Sequence, residues 1–428
     1  MAVYINYGEQ DQDAVVQGAE WLMSIIQQQQ GPEAEEKFKT QFQHYHSDES
    51  REYNYGAVFD LFIEYSGDLF AAIPEGAAPM GRGEDRVKEV ESFFALLLSL
   101  LLYLEDADHM MKLVETLCKL FVSSTEQQPE LRLRLLMMLY NTFPFVVTPF
   151  KFRVFMYIVD YAAKAGLFEQ VLPYLEYLDS WMVDWEHSGL EVKDKRELYL
   201  NLSEYMRELG QRDLGKRVDA FLYLKKYAQL FQGESDSAAE LSEDETQNAT
   251  LQLLKDAIQL PSVIQFDDLL NFKTVKALEK GKYQNLVKLC RVFLVGDVNE
   301  LRNFQKKNPK LFAEHDLDFE AAMSKIRLLT LATLVQGKSE IALAEVAEAL
   351  EESEDNVEHW VVKALSEGVI DGRIDQLNHK VLVKSAFQRQ FDKEEWGFLD
   401  KKLTQWTDNL ENVIKFIEDQ KLRSTNGK

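Results

Sequence analysis

Cysteine is nearly absent from this chain of 428 residues: there are two, Cys118 and Cys290, both inside apolar stretches with helical spacing. Two thiols so placed imply no disulfide framework and no thiolate metal cluster, and they suit a reducing compartment. Proline is scarce as well, at nine residues, with only Pro261 and Pro309 beyond Pro173. Long proline-free stretches with apolar residues at i, i+3 and i+4 predict an almost wholly helical protein. Base is short relative to acid, with 48 Lys and Arg against 72 Asp and Glu and a formal net charge of −24. Binding to a phosphate backbone draws on Lys and Arg, so any RNA contact has to be local. Long hydrophobic runs are missing too. The one that stands out, FFALLLSLLLYL at 93–104, holds twelve residues between Glu91 and Glu105. Crossing a bilayer takes roughly 20, so it reads as a buried core helix, and no membrane partner is expected. The opening residues, MAVYINYGEQDQDAV, show no basic stretch followed by an apolar one. No secretory leader is expected, and the location expected is cytoplasmic.

Catalytic signatures are also missing: no Walker loop, no GxGxxG after a strand, no GxSxG, no HExxH and no CxxC. His44 and His46, followed by Asp48, are the single His/acid cluster. An H-x-H metal site of the isopeptidase type needs a serine and an aspartate where Asn54 and Ala57 stand, so a polar surface loop is the better reading. No catalytic residue, metal site or cofactor is expected, and the chain is expected not to be an enzyme.

What the sequence does contain is helical repetition. Residues 14–30 read as helix, 31–56 as polar and irregular, and 73–86 (IPEGAAPMGRGEDR) as a Pro/Gly loop. From Val87 onward helices follow closely. Several breaks place a glycine at the junction, as at Gly166, Gly210 and Gly281, where a left-handed cap is expected. Such pairs stack into a solenoid, here with degenerate repeats. The segment GESDSAAELSEDE at 233–245 carries six acids and no base. It reads as an acidic, solvated loop in which Ser242 precedes three acids.

Residues 323–386 change period. Three helical stretches, 323–337, 341–350 and 355–367, lead into a segment where Ile370, Gly372 and Ile374, then Val381 and Val383, alternate with polar residues around a turn at 376–379. Three helices closed by a hairpin make a winged helix. Its charge is wrong for reading nucleic acid. Glu345, Glu348, Glu351, Glu352, Glu354, Asp355, Glu358, Glu367, Asp371 and Asp375 face only Lys363 and Arg373. A protein-docking winged helix fits better.

Behind it, Trp396, Leu399, Leu403, Trp406, Leu410, Val413 and Ile417 step by three and four residues, an uninterrupted a/d seam. Phe398, Ile414 and Phe416 widen the apolar surface beyond a two-stranded coil, so the seam is expected to enter a multi-helix bundle rather than fold back on its own winged helix. One region opposes the overall charge. Between 273 and 310 bases outnumber acids, and Lys273, Lys276 and Lys280, with Lys306 and Lys307 further on, are candidates to meet RNA or an acidic partner.

Degenerate helical repeats, a winged helix and a long terminal helix together are similar to the PCI-domain proteins, scaffold subunits of the proteasome lid, the signalosome and translation initiation factor 3. The closest local match is the hairpin, Glu367-Gly368-Val369-Ile370-Asp371-Gly372-Arg373-Ile374-Asp375 followed by Lys380-Val381-Leu382-Val383. The segments 266–309 and 325–336 and Trp181-Met182-Val183-Asp184-Trp185 bring it nearest to the initiation factor 3 members. The resemblance covers roughly 87–422. It implies a non-catalytic subunit whose winged helix packs edge to edge with other PCI subunits, through Val381, Leu382 and Val383 as edge strand. It also implies that the terminal helix joins partner chains in a bundle, in a complex that supports mRNA recruitment to the small ribosomal subunit. The alternatives are a signalosome or proteasome-lid subunit and an RNA-binding adaptor using 273–310. The expected organisation is a variable segment at 1–86, helical repeats at 87–205, a PCI domain at 206–388 with an acidic loop at 233–247, and a terminal helix at 389–428.

Overall fold

Helical periodicity carries most of the chain. The computed structural model describes residues 11–45, 55–74, 84–101, 104, 106–142, 148–187, 189–211, 213–232, 240–241, 243–389 and 393–425. His46, Asp48 and Ser242, with most of the Pro/Gly and acidic loops, lie outside them. The chain forms two compact units, 1–201 and 202–428. The architecture is mainly α, a run of helical repeats leading into a winged helix and a long terminal helix.

In the first unit, the run expected as a core helix is one: helix Glu84–Leu100 buries Phe93, Phe94, Leu97 and Leu98. Phe94 meets Phe121 edge-on at 5.1 Å between ring centroids. Such pairs add about 0.5–1.5 kcal/mol beyond area burial. The buried Arg132 is held by backbone carbonyls, a ring and the Ser123 hydroxyl, to which it donates at 3.0 Å. Its guanidinium donates to the carbonyls of Leu120 at 2.9 Å, Phe121 at 3.1 Å and Gln127 at 2.7 Å, and lies 3.8 Å from the centroid of Phe70. Those carbonyls include the C-terminal end of helix Ala107–Phe121, where a cation is favoured.

Residues 31–56, expected to be irregular, contain the helix Pro32–Tyr45. Pro32 supplies a preset φ at the first helical position, after Gly31 at φ +92°. Phe38 and Phe42, one turn apart, stack on Phe62 at 6.2 and 6.1 Å. Two aromatic rings anchor a helix whose other residues are mostly polar. Gly166 adopts the expected left-handed cap, at φ +71°, with the Leu167 amide returning to the Ala162 carbonyl at 2.8 Å.

In the second unit, helices Leu214–Gln229, Asp244–Gln259, Gln284–Val295, Val298–Lys307 and Phe319–Val335 pack in succession. Gly210 and Gly281 do not take the left-handed conformation expected of them. Gly210 is there for space: a Cβ would fall 2.7 Å from Cγ of Arg217, so the glycine lets the next helix approach. Asp297 caps helix Val298–Lys307, its Oδ1 accepting from the Glu300 amide at 2.9 Å.

The winged helix follows. Helices Phe319–Val335, Leu343–Leu350 and Glu354–Ser366 enclose a core that includes Leu331, Val346, Leu350, Val357 and Val361. Strands β1 (Glu340–Ala342), β2 (Ile370–Asp375) and β3 (Lys380–Ala386) form an antiparallel sheet in the order β1-β3-β2. Ile341, Ile370 and Val381 point into the same core.

Candidate functional site

The sheet corrects the expected edge strand. Val381, Leu382 and Val383 lie on the central strand. Leu382 pairs with Glu340 of β1 and Arg373 of β2, Val381 pairs with Ile341 and Ile374, and the Val383 amide donates to the Ser339 carbonyl at 2.9 Å. The ladder that seemed open is closed on both sides, because the three residues before the second helix are extended rather than helical. Within the sheet the open ladders belong to β1 and β2. At β2 the chain bulges between Asp371 and Gly372. A Cβ on Gly372 would sit 2.3 Å from the Leu382 carbonyl oxygen, so this pairing needs glycine.

The winged helix is less acidic in place than by count. Glu351 and Glu352 pair with Arg302 and Arg327 of neighbouring helices, Glu345 with Lys338, and Asp371 with Lys384. Asp375 accepts from the Asn378 side chain at 2.8 Å and from its amide, and these bonds hold its carboxyl below the usual range. Of the two bases counted there, Lys363 turns inward. Its Nζ donates to Ser324 at 2.7 Å and lies 5.2 Å from the Trp360 ring centroid. The helix that a nucleic-acid reader would insert thus presents no cation from Lys363.

The seam stands open. Trp396, Leu399, Leu403, Trp406, Leu410, Val413 and Ile417 all lie on helix Lys393–Thr425, and all are exposed, Trp406 at 63% and Leu410 at 64%. Ile414 and Phe416 are exposed beside them. Folding back onto the winged helix would have buried this face, and it has not. Isolated apolar side chains on a surface mean little, whereas a row along one helix is the kind of patch that interaction sites use.

A family profile for the PCI domain matches residues 306–385, the last repeat helices and the winged helix with all three strands. This chain carries a PCI domain. The similarity extends well beyond it. A Dictyostelium discoideum protein named eukaryotic translation initiation factor 3 subunit M is 28% identical over 341 residues, 79% of this chain and 81% of the relative. The Homo sapiens protein of the same name is 29% identical over 327 residues, 76% of this chain and 82% of the relative. That of Phaeosphaeria nodorum is 26% identical over 366 residues, 83% and 79%. The PCI likeness, and within it the nearness to the initiation factor 3 members that 266–309, 325–336 and Trp181-Met182-Val183-Asp184-Trp185 suggested, both agree with these comparisons.

The basic stripe is only partly assembled. Lys273 and Lys276 sit on the short helix Lys273–Leu278, Lys280 lies beyond its end, and Lys306 and Lys307 close the last turn of helix Val298–Lys307. Lys276, Lys280, Lys306 and Lys307 are exposed, while Lys273 is half-buried. Arg291 and Arg302 of the same region are engaged by Glu279 and Glu351. Among the described residues no cluster of three or more His, Cys, Asp or Glu is placed to hold a metal ion, and no helix is long and apolar enough to cross a membrane.

Two buried cations inside the second unit were invisible in the sequence. Lys325, 3% exposed, donates from Nζ to the carbonyls of Ala257 and, at 2.8 Å, Leu260, at the end of helix Asp244–Gln259. Burial pushes its ammonium down to about 7. Arg389, just past the sheet, donates to the carbonyls of Phe293 and Val292 at the end of helix Gln284–Val295. Each cation adds a donor to carbonyls at a helix C-terminus, where the backbone dipole favours it. Together they fasten the PCI winged helix, and the residues leading to the seam, to the repeat beneath.

Proposed function

We propose that this chain is a non-catalytic scaffold subunit of an initiation factor 3 complex, acting in the cytoplasm and supporting mRNA recruitment to the small ribosomal subunit. In this reading residues 1–86 form a variable segment, 87–205 helical repeats, 206–388 the PCI domain and 389–428 the joining helix. The observation that carries it is the exposed seam from Trp396 to Ile417, an apolar row on a helix too long to be stabilised by its own winged helix. A helix of this kind gains its stability from partner helices. The names of the relatives support an initiation factor 3 complex, and the winged helix offers a second contact surface. Since β3 is central, the strand offered to a neighbouring PCI subunit is β2, whose outer ladder from Ile370 to Asp375 is open.

Affinity purification of the tagged full chain followed by mass spectrometry tests this. Initiation factor 3 subunits are the expected principal partners. Recovery of signalosome or proteasome-lid subunits in their place overturns the assignment and leaves only the PCI architecture. The exposed Lys276, Lys280, Lys306 and Lys307 favour a second, local role in RNA contact within the complex. Ultraviolet crosslinking with peptide mapping decides it, because crosslinks outside 273–310, or none, exclude that role.

A further inference from the structure

Away from the PCI domain, three alternate helices of the first unit line one groove of about 390 Å³. They are Ala107–Phe121, Thr148–Lys164 and the start of Val192–Leu209. The volume lies within the roughly 300–1,000 Å³ range of pockets that take a small ligand or a few inserted side chains. Each helix contributes one face. Met111, Val114 and Cys118 recur at three- and four-residue steps on the first, Val154 and Tyr157 on the second, and Asp194 and Glu197 on the third. Val114, Cys118 and Val154 are buried, so the floor is apolar. Met111 and Met156, both half-buried, add flexible thioethers that adapt to an occupant.

The charged side chains of this lining are four acids and one base, Arg153. Two of the acids are answered within the chain. Glu115 pairs with Lys119 at 2.8 Å, which holds its carboxyl below the usual range, and Arg153 adds to the effect. Asp160 accepts from the Asn201 side chain at 3.5 Å. Arg153 itself turns to Met111, its Nη1 3.4 Å from the sulfur. Asp194 and Glu197 differ. Among the described residues no cation lies within ion-pair distance of either, and Lys195 between them turns to Glu186. Asp194 is half-buried at the groove wall and Glu197 is exposed at its rim. A chain that covers the apolar floor also takes water from these two carboxylates. Stripping water from an unpaired carboxylate is costly, so the cover must bring its own cations.

We propose that this groove docks a basic amphipathic segment of a partner protein. Its apolar side chains lie on the floor between Val114 and Val154, and its lysines or arginines pair with Asp194 and Glu197. An acidic or uncharged segment leaves both carboxylates desolvated and unanswered, and RNA meets four acids where it needs bases. The proposal does not rest on the assembly reading above, since it involves neither the PCI domain nor the seam.

The test starts from selection of a displayed library of random short peptides on the full chain. Enriched peptides are expected to combine lysine or arginine with leucine, methionine or phenylalanine. Synthetic copies are then titrated by fluorescence anisotropy. Asp194→Asn with Glu197→Gln, which keeps the shape of both side chains, is expected to weaken them about fivefold to thirtyfold, the size of two ion pairs. Glu33→Gln with Glu36→Gln removes the same charge from exposed sites outside the lining and is expected to leave binding unchanged. Circular dichroism confirms that both variants fold. A second measurement uses the unaltered chain. Carbon-13 methyl spectra of its methionines, assigned by Met111→Leu and Met156→Leu, should show those two signals move on titration, with that of Met323 in the winged helix unmoved. Enrichment of acidic or uncharged peptides, equal weakening by the two charge variants, unmoved Met111 and Met156 signals, or no enrichment at all overturns the proposal.

Discussion

The guanidinium of Arg389 donates from Nε to the backbone carbonyl of Phe293 at 2.7 Å, across 96 residues of sequence. Its Nη2 donates to Val292 at 3.1 Å, so one side chain closes the end of helix Gln284–Val295. Burial lowers the pKa of this arginine to about 10, still far above neutrality, so the contact keeps its charge at physiological pH. Arg389→Ala leaves the Phe293 carbonyl without this donor and the Val292 carbonyl with the Gly296 amide alone. It is expected to cost about 2–3 kcal/mol. Hydrogen exchange should show lost protection in Gln284–Val295 and the winged helix, with the helices before residue 201 unchanged. Arg389→Lys should lie between the two.

Lys325 gives the second unit a pH dependence of defined sign. Its folded pKa, about 7, is below the unfolded value near 10.5. Between those limits the unfolded chain binds a proton that the folded one does not, so stability rises with pH across that window and the penalty is complete below about 7. The buried Cys290, pushed up to about 12, works the other way above about 9, where the unfolded thiol ionises first. The range from pH 7 to 9 therefore isolates the lysine. Thermal melts of the full chain should show stability rising there by about 2–3 kcal/mol, at 1.4 kcal/mol per pH unit. Lys325→Met should flatten that slope.

Charging the seam tests assembly without touching the core. Leu403 and Leu410 are 50% and 64% exposed. Leu403→Asp with Leu410→Asp should change the melting of the isolated chain by less than about 0.5 kcal/mol. In cells the double variant should lose its partners and sediment as a free protein. Retention in the complex would show that the seam is not the joining surface.

Two glycines predict opposite signs for the same substitution. Gly372→Ala sets a Cβ against the Leu382 carbonyl, 2.3 Å away, and should open the β2–β3 ladder at a cost of about 1–3 kcal/mol. Gly397 has nothing within 4 Å on an exposed stretch of helix Lys393–Thr425, and alanine there should stabilise that helix by about 0.5–1 kcal/mol. Denaturant melts and helicity by circular dichroism separate the two.

The winged helix was legible because the apolar period switches from 3.6 to 2 at Ile370, and the seam because seven residues keep strict heptad spacing. β1 was not legible. Glu340-Ile341-Ala342 is too short to show alternation, and Ile341 fits the following helix equally well, so β3 was mistaken for an edge. The helix Pro32–Tyr45 escaped notice because Phe38 and Phe42 are its only large apolar residues besides the terminal Tyr45. Lys325 and Arg389 could not be read at all. Their partners are backbone carbonyls 65 to 97 residues away, and a carbonyl leaves no mark in a side-chain pattern.

The open row from Trp396 to Ile417 also bears on how much of this protein a cell can hold. A copy made in excess of its partners displays nine large apolar side chains along one helix. That surface is the kind by which chaperones and proteases sort orphan chains, and by which such chains associate with one another. On the proposed assembly, the residues that join the subunit to its neighbours also meter its abundance against theirs. Pulse-chase turnover of the chain should quicken when a bundle partner is depleted, and the charged-seam variant should escape that coupling.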